Sequence, residues 1–534
     1  MKFSIISKMK ALNTLSISIL LTAGLSAQSL VSVDGDLNFP ATNELQASTQ
    51  TLRLYNPNSY PISVEAVDRF EIYGNKVFSL SDSIFTVMPS DTFSLTVSFL
   101  PEHNIQHEQV LVFKSTNGFG HTAVGLSAQG TYSKSYYSTT QNKEQQALKN
   151  ALNTRLAQGY SDQGYNGARD LMYGSIDNVA GQVECVYTGR TATFNTRSGA
   201  NNNSFNCEHT FPQGFFNSNV PMRSDIHHLF PTDATANSRR GNDPFGVVGT
   251  ASWTQGGSKS GGGKFEPRDA HKGAVARAMM YFVIRYQDYA GHFSGQETIL
   301  RQWHDQFPPS TAEQARNTAI YNVQNNRNPF VDYPQFIERI SDVDGTASAA
   351  DRFVQYYSDD TIFLAQGPSI TRTYSFVIYN DGNKDMGVDN LALSDPDLNF
   401  SSATPTTFLL SPGDYQVIEI EFQAQKNYQA SMAFRQLGDS DSITIPIMSG
   451  PALSLLAFAD APSIRFYPNP VKGLLQVQSV EDISSLQMID AAGALHSLPL
   501  AEQIDLSAFA AGVYTLIYRE KSSDADRQER IIIQ

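Results

Sequence analysis

The spacing of apolar and polar residues changes twice along the chain. From about residue 28 to 133 it alternates with period two. Residues 51–67 (TLRLYNPNSYPISVEAV) and 91–101 (DTFSLTVSFLP) read as strands broken by Asn-Pro and Pro-bearing turns, and the segment closes at 125–132. No helical pattern interrupts it, which predicts an antiparallel β-sandwich. The same texture returns in 371–388, 414–424 and 441–449, predicting a second sandwich, and once more in short strands over 464–478, 484–498, 504–520 and 529–534. The middle has helical period instead. Helices are predicted over 143–159, over 270–289, where the apolar faces nearly encircle the axis, and over 310–326, where Ser310 and Glu313 are spaced as a capping box after Pro308-Pro309. Between the first two lies 185–265, rich in Gly, Asn and Ser, as a site built on loops would be.

The length of 534 residues fits several domains rather than one core. The expected boundaries are 1–27, 28–133, 134–345, 346–457 and 458–534. Residues 1–27 read as a cleaved signal peptide: Lys2, Lys8 and Lys10 precede an apolar run that ends in Ala23, Gly24, Ser26 and Ala27. An uncleaved N-terminal anchor is the competing reading. No later stretch approaches the roughly 18–20 apolar residues of a spanning helix.

Charge changes the picture only when it is divided. The whole chain carries −14, yet 134–345 holds 20 Lys+Arg against 19 Asp+Glu, while the flanks hold 18 against 33. The acidity therefore does not argue against a polyanionic substrate for the middle segment. Export makes Cys185 and Cys207 candidates for one disulfide, closing a loop of about 22 residues and worth roughly 3 kcal/mol; two buried thiols are the alternative.

Candidate chemistry concentrates in two stretches of that segment. One holds Glu208 and His209; the other holds Asp225, His227, His228, Asn237, Arg239 and Arg240. A carboxylate and an amide oxygen suit a hard cation such as Mg²⁺, and Glu208 and Asn237 supply that pair. An imidazole not spent on the ion suits a general base on water, and arginines suit a phosphate. Together they point to metal-assisted phosphodiester hydrolysis. A zinc site from His209, His227 and His228 competes, although no HExxH spacing exists; so do structural histidines bonded to backbone.

The blocks Val183–Arg190, Cys207-Glu208-His209, Asp225-x-His227-x-Leu229-x-Pro231 with Asn237, Phe265-Glu266-Pro267, Lys272-Gly273-x-Val275-Ala276-Arg277-Ala278 and Asn326-Arg327-Asn328-Pro329-Phe330 occur in one order over about 136–340. In this the middle segment resembles the endonuclease I family of secreted nucleases, which carry a ββα-metal (His-Me finger) site. The resemblance implies His209 as general base and Glu208 and Asn237 as metal ligands, with Mg²⁺ as the ion and Mn²⁺ or Ca²⁺ as alternatives. Arg240 matches a family arginine shortly after the metal Asn, which the resemblance implies as a catalytic residue binding phosphate. Asp225 and His227 are implied to brace the site, and His228 stands where better-known members have Asn. Where those members carry a longer arginine-containing segment, this chain has residues 212–222 and then Arg223, which with Arg239 is a candidate phosphate ligand.

The tail resembles the sorting domain of type IX secretion substrates through Tyr467-Pro468-Asn469-Pro470, Gly493, Asp505-Leu506-Ser507 and Ala511-Gly512-Val513-Tyr514. Both flanking sandwiches resemble immunoglobulin-like accessory modules. The expected whole is multidomain: an α+β ββα-metal core, two such sandwiches and a β-sandwich sorting tail. The expected function is metal-dependent, sequence-nonspecific endonuclease action on DNA, with RNA open, leaving a 5′-phosphate, by a protein delivered outside the cell by the type IX machinery. Competing with it are a surface adhesive protein with a degenerate nuclease core and a small-molecule phosphodiesterase.

Overall fold

The computed structural model describes residues 29–67, 76–115, 120–349, 355–367, 371–438, 441–450, 465–467, 471, 473–489, 495–510, 512–521 and 526–533. The expected signal peptide at 1–27, together with Pro468–Pro470, Gly493 and Ala511, lies outside the described residues. The chain divides into two compact units, Met1–Gly450 and Pro451–Gln534.

The first unit begins with two facing sheets. One is ordered Val31–Ser32, Ser48–Tyr55, Thr92–Phe99 and Phe78–Leu80. The other is ordered Leu37–Asn38, His121–Thr131, Gln106–Ser115, Ile62–Ala66 and Ile84–Val87. Period two puts Leu52, Leu54, Leu95, Val97 and Phe99 inward from the first sheet against Val64, Phe113 and Val124 of the second. A second pair of sheets follows the central segment, built on Thr371–Asn380 with Tyr415–Gln423 and on Gln429–Gln436 with Ser442–Gly450.

The two sandwiches touch directly. Val110 and Val112 on the back of Gln106–Ser115 pack against Val377 and Tyr379. At the same junction Gly120 bridges to Ser375. With φ of +82° and Ser375 N only 2.2 Å from where a Cβ would sit, this position admits only glycine. The central segment is seated on the first sandwich. Tyr132 stacks on Tyr333 with centroids 3.7 Å apart, and Arg339 reaches Asn104 Oδ1 at 2.8 Å. The three expected modules therefore form one unit.

Within the central segment, helix α1 (Gln145–Ala157) buries Leu148, Leu152 and Leu156 at the predicted i, i+4, i+8 spacing. Helix α2 (Gly164–Leu171) was not foreshadowed by its sequence. Strand β1 (Phe205–His209) pairs antiparallel with β2 (Leu229–Asp233), which runs straight into helix α3 (Ala234–Arg240). Asp233 caps α3, its carboxylate accepting from Thr235 N and Ala236 N. Helix α4 (Asp269–Arg285) is the core helix, buried from Val275 to Arg285. Gly273 lets Phe307 approach: a Cβ there would lie 2.2 Å from its carbonyl oxygen. Helix α5 (Thr311–Gln324) starts at Ser310, whose hydroxyl accepts from Glu313 N at 3.2 Å. Only half of the capping box forms, because the Glu313 carboxylate turns to Arg277 instead.

The second unit has a three-stranded and a four-stranded sheet around Leu475, Val477, Leu486, Met488, Ile504 and Leu516. No helix among the described residues is long and apolar enough to cross a membrane.

Burial holds several histidines of the first unit neutral. Desolvation leads in pulling His107, His227 and His304 down to about 4 and His271 down to about 3. Their folded pKa values lie below the unfolded value, so between those limits the unfolded chain binds more protons. Stability is then complete above the ordinary histidine pKa and falls as pH drops through it, by up to about 1.4 kcal/mol per pH unit for each such group. Denaturant midpoints should therefore fall steeply from pH 7 to pH 5. A flat profile over that range would contradict the burial of these rings as neutral groups.

Candidate functional site

Strand β1 ends in Glu208 and His209, and alternation sends the two side chains to different partners. Glu208 faces Tyr187 and Arg240. Its Oε1 accepts from Tyr187 OH at 2.8 Å and lies 3.4 Å from Arg240 Nε, with the side chain 2% exposed. Burial raises its pKa, opposed by the Arg240 charge and then by the Tyr187 hydrogen bond. Asn237, half-buried on α3, folds back over β1, its Nδ2 donating to Cys207 O at 3.4 Å. Its amide oxygen accepts no hydrogen bond from a described residue. One carboxylate and one free amide oxygen, on a strand and the helix packed against it, are hard oxygen donors of the kind a small divalent cation takes, so the residues fit such an ion.

His209 is buried, its ring 5.5 Å from Tyr165 and 5.6 Å from His228. Nε2 is 3.2 Å from the Arg223 carbonyl, which can only accept, so Nε2 carries the proton and Nδ1 keeps the lone pair. Burial first, then the His228 ring, draw its pKa down to about 3, leaving the ring neutral.

The other candidates separate into groups. Arg240 is enclosed rather than presented: it is 1% exposed, gives Nη2 to Thr210 O at 2.7 Å and Nη1 to Gly241 O at 3.0 Å, and lies over Phe245. Arg239, beside it, is exposed. Arg223 lies half-buried over the Tyr165 ring, 4.3 Å from its centroid. Asp225 is fully buried. Its Oδ2 accepts from Tyr281 OH and Arg285 Nη1 at 2.7 Å each and Tyr286 OH at 2.9 Å, and its Oδ1 accepts from His227 N and Gln324 Nε2. Despite its burial, the neighbouring Arg285 charge holds its carboxyl well below the usual range. His227 Nε2 binds Asn326 O at 3.0 Å and His228 Nε2 binds Met222 O at 2.6 Å. Each of the three histidine rings thus has one nitrogen on a carbonyl, and the described residues do not gather them as a tri-histidine zinc site.

The expected disulfide is absent: Cys185 and Cys207 are both buried free thiols. Cys207 is paired with Pro231 across the hairpin, whereas Cys185 Sγ packs on Thr232 and accepts from Asp233 N at 3.0 Å. Pro231 and Thr232 point to opposite faces, so the two sulfurs lie on opposite sides of the sheet. Cys207 meets the Tyr165 hydroxyl instead.

The sequence reading singled out none of Tyr165, Arg169, Tyr187, Tyr281, Arg285, Tyr286 and Gln324 as site residues. Tyr281 and Arg285, four apart on α4, were the legible signal: a polar row in an otherwise apolar helix. Tyr165 and Arg169 lie on α2, where Gly164 and Gly167 erase the helical pattern. A separate carboxylate group, Glu297, Asp342 and Asp344, is answered by Arg301 and by the Val343 and Gly345 backbone N–H groups.

Residues 134–335 match the family described as Endonuclease I, and 465–534 match the secretion system C-terminal sorting domain. An extracellular ribonuclease of Bacillus amyloliquefaciens is 29% identical over 245 residues, covering 42% of this chain and 84% of its own. An extracellular ribonuclease of Bacillus subtilis (strain 168) is 31% identical over 225 residues, covering 38% of this chain and 77% of its own.

Proposed function

The chain belongs to the endonuclease I family, and from that premise we propose that it is a metal-dependent endonuclease hydrolysing internal phosphodiester bonds of RNA and DNA without sequence preference. It is a nuclease, exported to the cell surface or beyond, and its tail is a type IX sorting domain. The reading is carried by one observation: β1, β2 and α3 form a ββα unit that bears Glu208, His209 and Asn237, with His209 Nε2 spent on a carbonyl and Nδ1 left to accept a proton.

Glu208 and Asn237 would hold the divalent ion, Mg²⁺ or in its place Mn²⁺ or Ca²⁺, whose charge would stabilise the negative charge that builds on the phosphate. His209 takes the proton of the attacking water at Nδ1, the Arg223 carbonyl fixing the ring's orientation and tautomer. Arg240 is a positioning residue: it opposes the rise in the Glu208 pKa that burial imposes and so favours the ionised carboxylate. Arg223 and Arg239 supply positive charge for phosphate. Asp225 and His227 brace the loop that delivers the Arg223 carbonyl. The flanking segments 28–133 and 346–457 serve as immunoglobulin-like accessory modules around a nuclease domain at 134–345, ahead of the sorting domain at 458–534. Two relatives described as extracellular ribonucleases support RNA as a substrate. The near-neutral charge of 134–345 favours phosphate contacts over base reading.

Supercoiled plasmid and a structured RNA, each incubated with the purified chain and Mg²⁺, should both be cut internally, the plasmid passing through nicked circles. EDTA should stop both reactions and added Mg²⁺ restore them. Cleavage that persists in EDTA would overturn metal dependence, and no cleavage with Mg²⁺, Mn²⁺ or Ca²⁺ would overturn the nuclease reading. Binding should also weaken as salt rises, with a log–log slope set by the number of phosphates held.

A further inference from the structure

Tyr165 is a half-buried ring on α2 that faces His209, and two guanidinium groups lie over it. Arg169, one turn along α2, is 4.1 Å from the ring centroid and Arg223 is 4.3 Å from it. The Tyr165 ring lies 5.5 Å from the His209 ring, centroid to centroid, so it is held against the end of β1.

Nine of the fourteen arginines in 134–345 ion-pair with a carboxylate. Among the described residues, Arg169 and Arg223 do not. The side-chain bond of Arg169 runs from Nη2 to the neutral Asn166 amide oxygen at 2.7 Å. Arg223 makes no side-chain hydrogen bond to a described residue. Both keep a buried Nε–H with no acceptor. Two like charges sharing one ring repel each other, and each has lost part of its hydration. Stacking on the ring offsets only part of that cost. The Nη groups of Arg223 have no hydrogen-bond partner among the described residues and are not enclosed, so an anion meeting the Nη groups on the open side would answer the charge, which is the chemistry arginine offers to phosphate.

The geometry points to Arg169 as a second phosphate-binding arginine of this site, carried with Arg223 on Tyr165 and gripping a backbone phosphate of the bound strand on the His209 side. Tyr165 is the positioning residue that holds both guanidinium groups. This rests on the endonuclease reading above and adds to it residues that no sequence motif marks.

The test measures binding of a fluorescein-labelled single-stranded oligo-dT in EDTA across a NaCl series, alongside kcat and KM on RNA with Mg²⁺. It compares the wild-type chain with Arg169→Ala, Arg169→Lys and Tyr165→Leu. Arg169→Ala should make the slope of log affinity against log salt shallower by about 0.7, one phosphate's worth for a single strand, and raise KM more than it lowers kcat. Arg169→Lys should recover the slope, because it restores the charge, while binding more weakly than wild type. Tyr165→Leu should shift the slope in the direction of Arg169→Ala. A wild-type slope in Arg169→Ala, whatever its activity or melting temperature, would overturn the proposal and leave the nuclease reading intact. A wild-type chain that neither binds the oligonucleotide nor cuts RNA or plasmid would overturn both.

Discussion

Replacing His209 by alanine should lower kcat/KM on supercoiled plasmid by at least ~10²-fold, and by as much as ~10⁴-fold, with the far-ultraviolet spectrum unchanged. The size follows from what the ring does. In a neutral imidazole one nitrogen donates and the other accepts, and the Arg223 carbonyl at 3.2 Å takes the donor side. Nδ1 is then held with its lone pair available to water. Alanine removes the acceptor and also leaves the Arg223 carbonyl unpaired, but β1 keeps its ladder to β2, so the fold should survive. The measurement is the initial rate of conversion to nicked circles at saturating Mg²⁺, with the melting temperature recorded beside it. A variant that retains near wild-type rate would remove His209 from the base role. A variant that is inactive but also unfolded would be replaced by His209→Gln, which fills the same space without a basic ring nitrogen.

The largest stability effect is expected at Asp225. Asp225→Ala should destabilise the central segment by roughly 3–5 kcal/mol, because Arg285 would be left buried and uncompensated. The Arg285 side chain is 4% exposed, and its Nη1 donates to Asp225 Oδ2 and to Tyr281 OH at 2.7 Å each. The hydroxyls of Tyr281 and Tyr286, the Gln324 amide and the His227 backbone N–H lose their acceptor in the same step. Both tryptophans of the chain, Trp253 and Trp303, fall in the central segment, so fluorescence in a urea titration reports its unfolding alone. Arg285→Leu in the Asp225→Ala background should cost less than the sum of the single changes, since each removes the charge that the other strands. Additive effects would mean that the two side chains do not share one network.

Some of this was legible in the residues alone. Period-two alternation located the strands of both sandwiches because each strand has one buried face, and Leu52, Leu54, Val97 and Phe99 lie where that period puts them. Helices α1, α4 and α5 were likewise visible, as were the polar stretches that carry Glu208, His209, Asp225 and Asn237. Helix α2 was not, because Gly164 and Gly167 occupy positions where an apolar stripe would have shown. Ser310 and Glu313 have the spacing of a capping box, yet a buried cation, Arg277, takes the Glu313 carboxylate from the backbone.

The sequence by itself determined the strands of both sandwiches, three of the central helices, the family to which the middle belongs, and the residue types on offer for chemistry. These are properties of local periodicity and of short motifs, and both survive without knowledge of what packs where. Only the tertiary structure decided how each side chain is used. It kept Cys185 and Cys207 apart by placing them on opposite faces of one hairpin, enclosed Arg240 behind Glu208, and gathered Arg169 and Arg223, 54 positions apart in the chain, onto Tyr165. Which donor meets which acceptor, and which charge goes unanswered, depends on the close packing of distant segments, and spacing along a chain does not encode it.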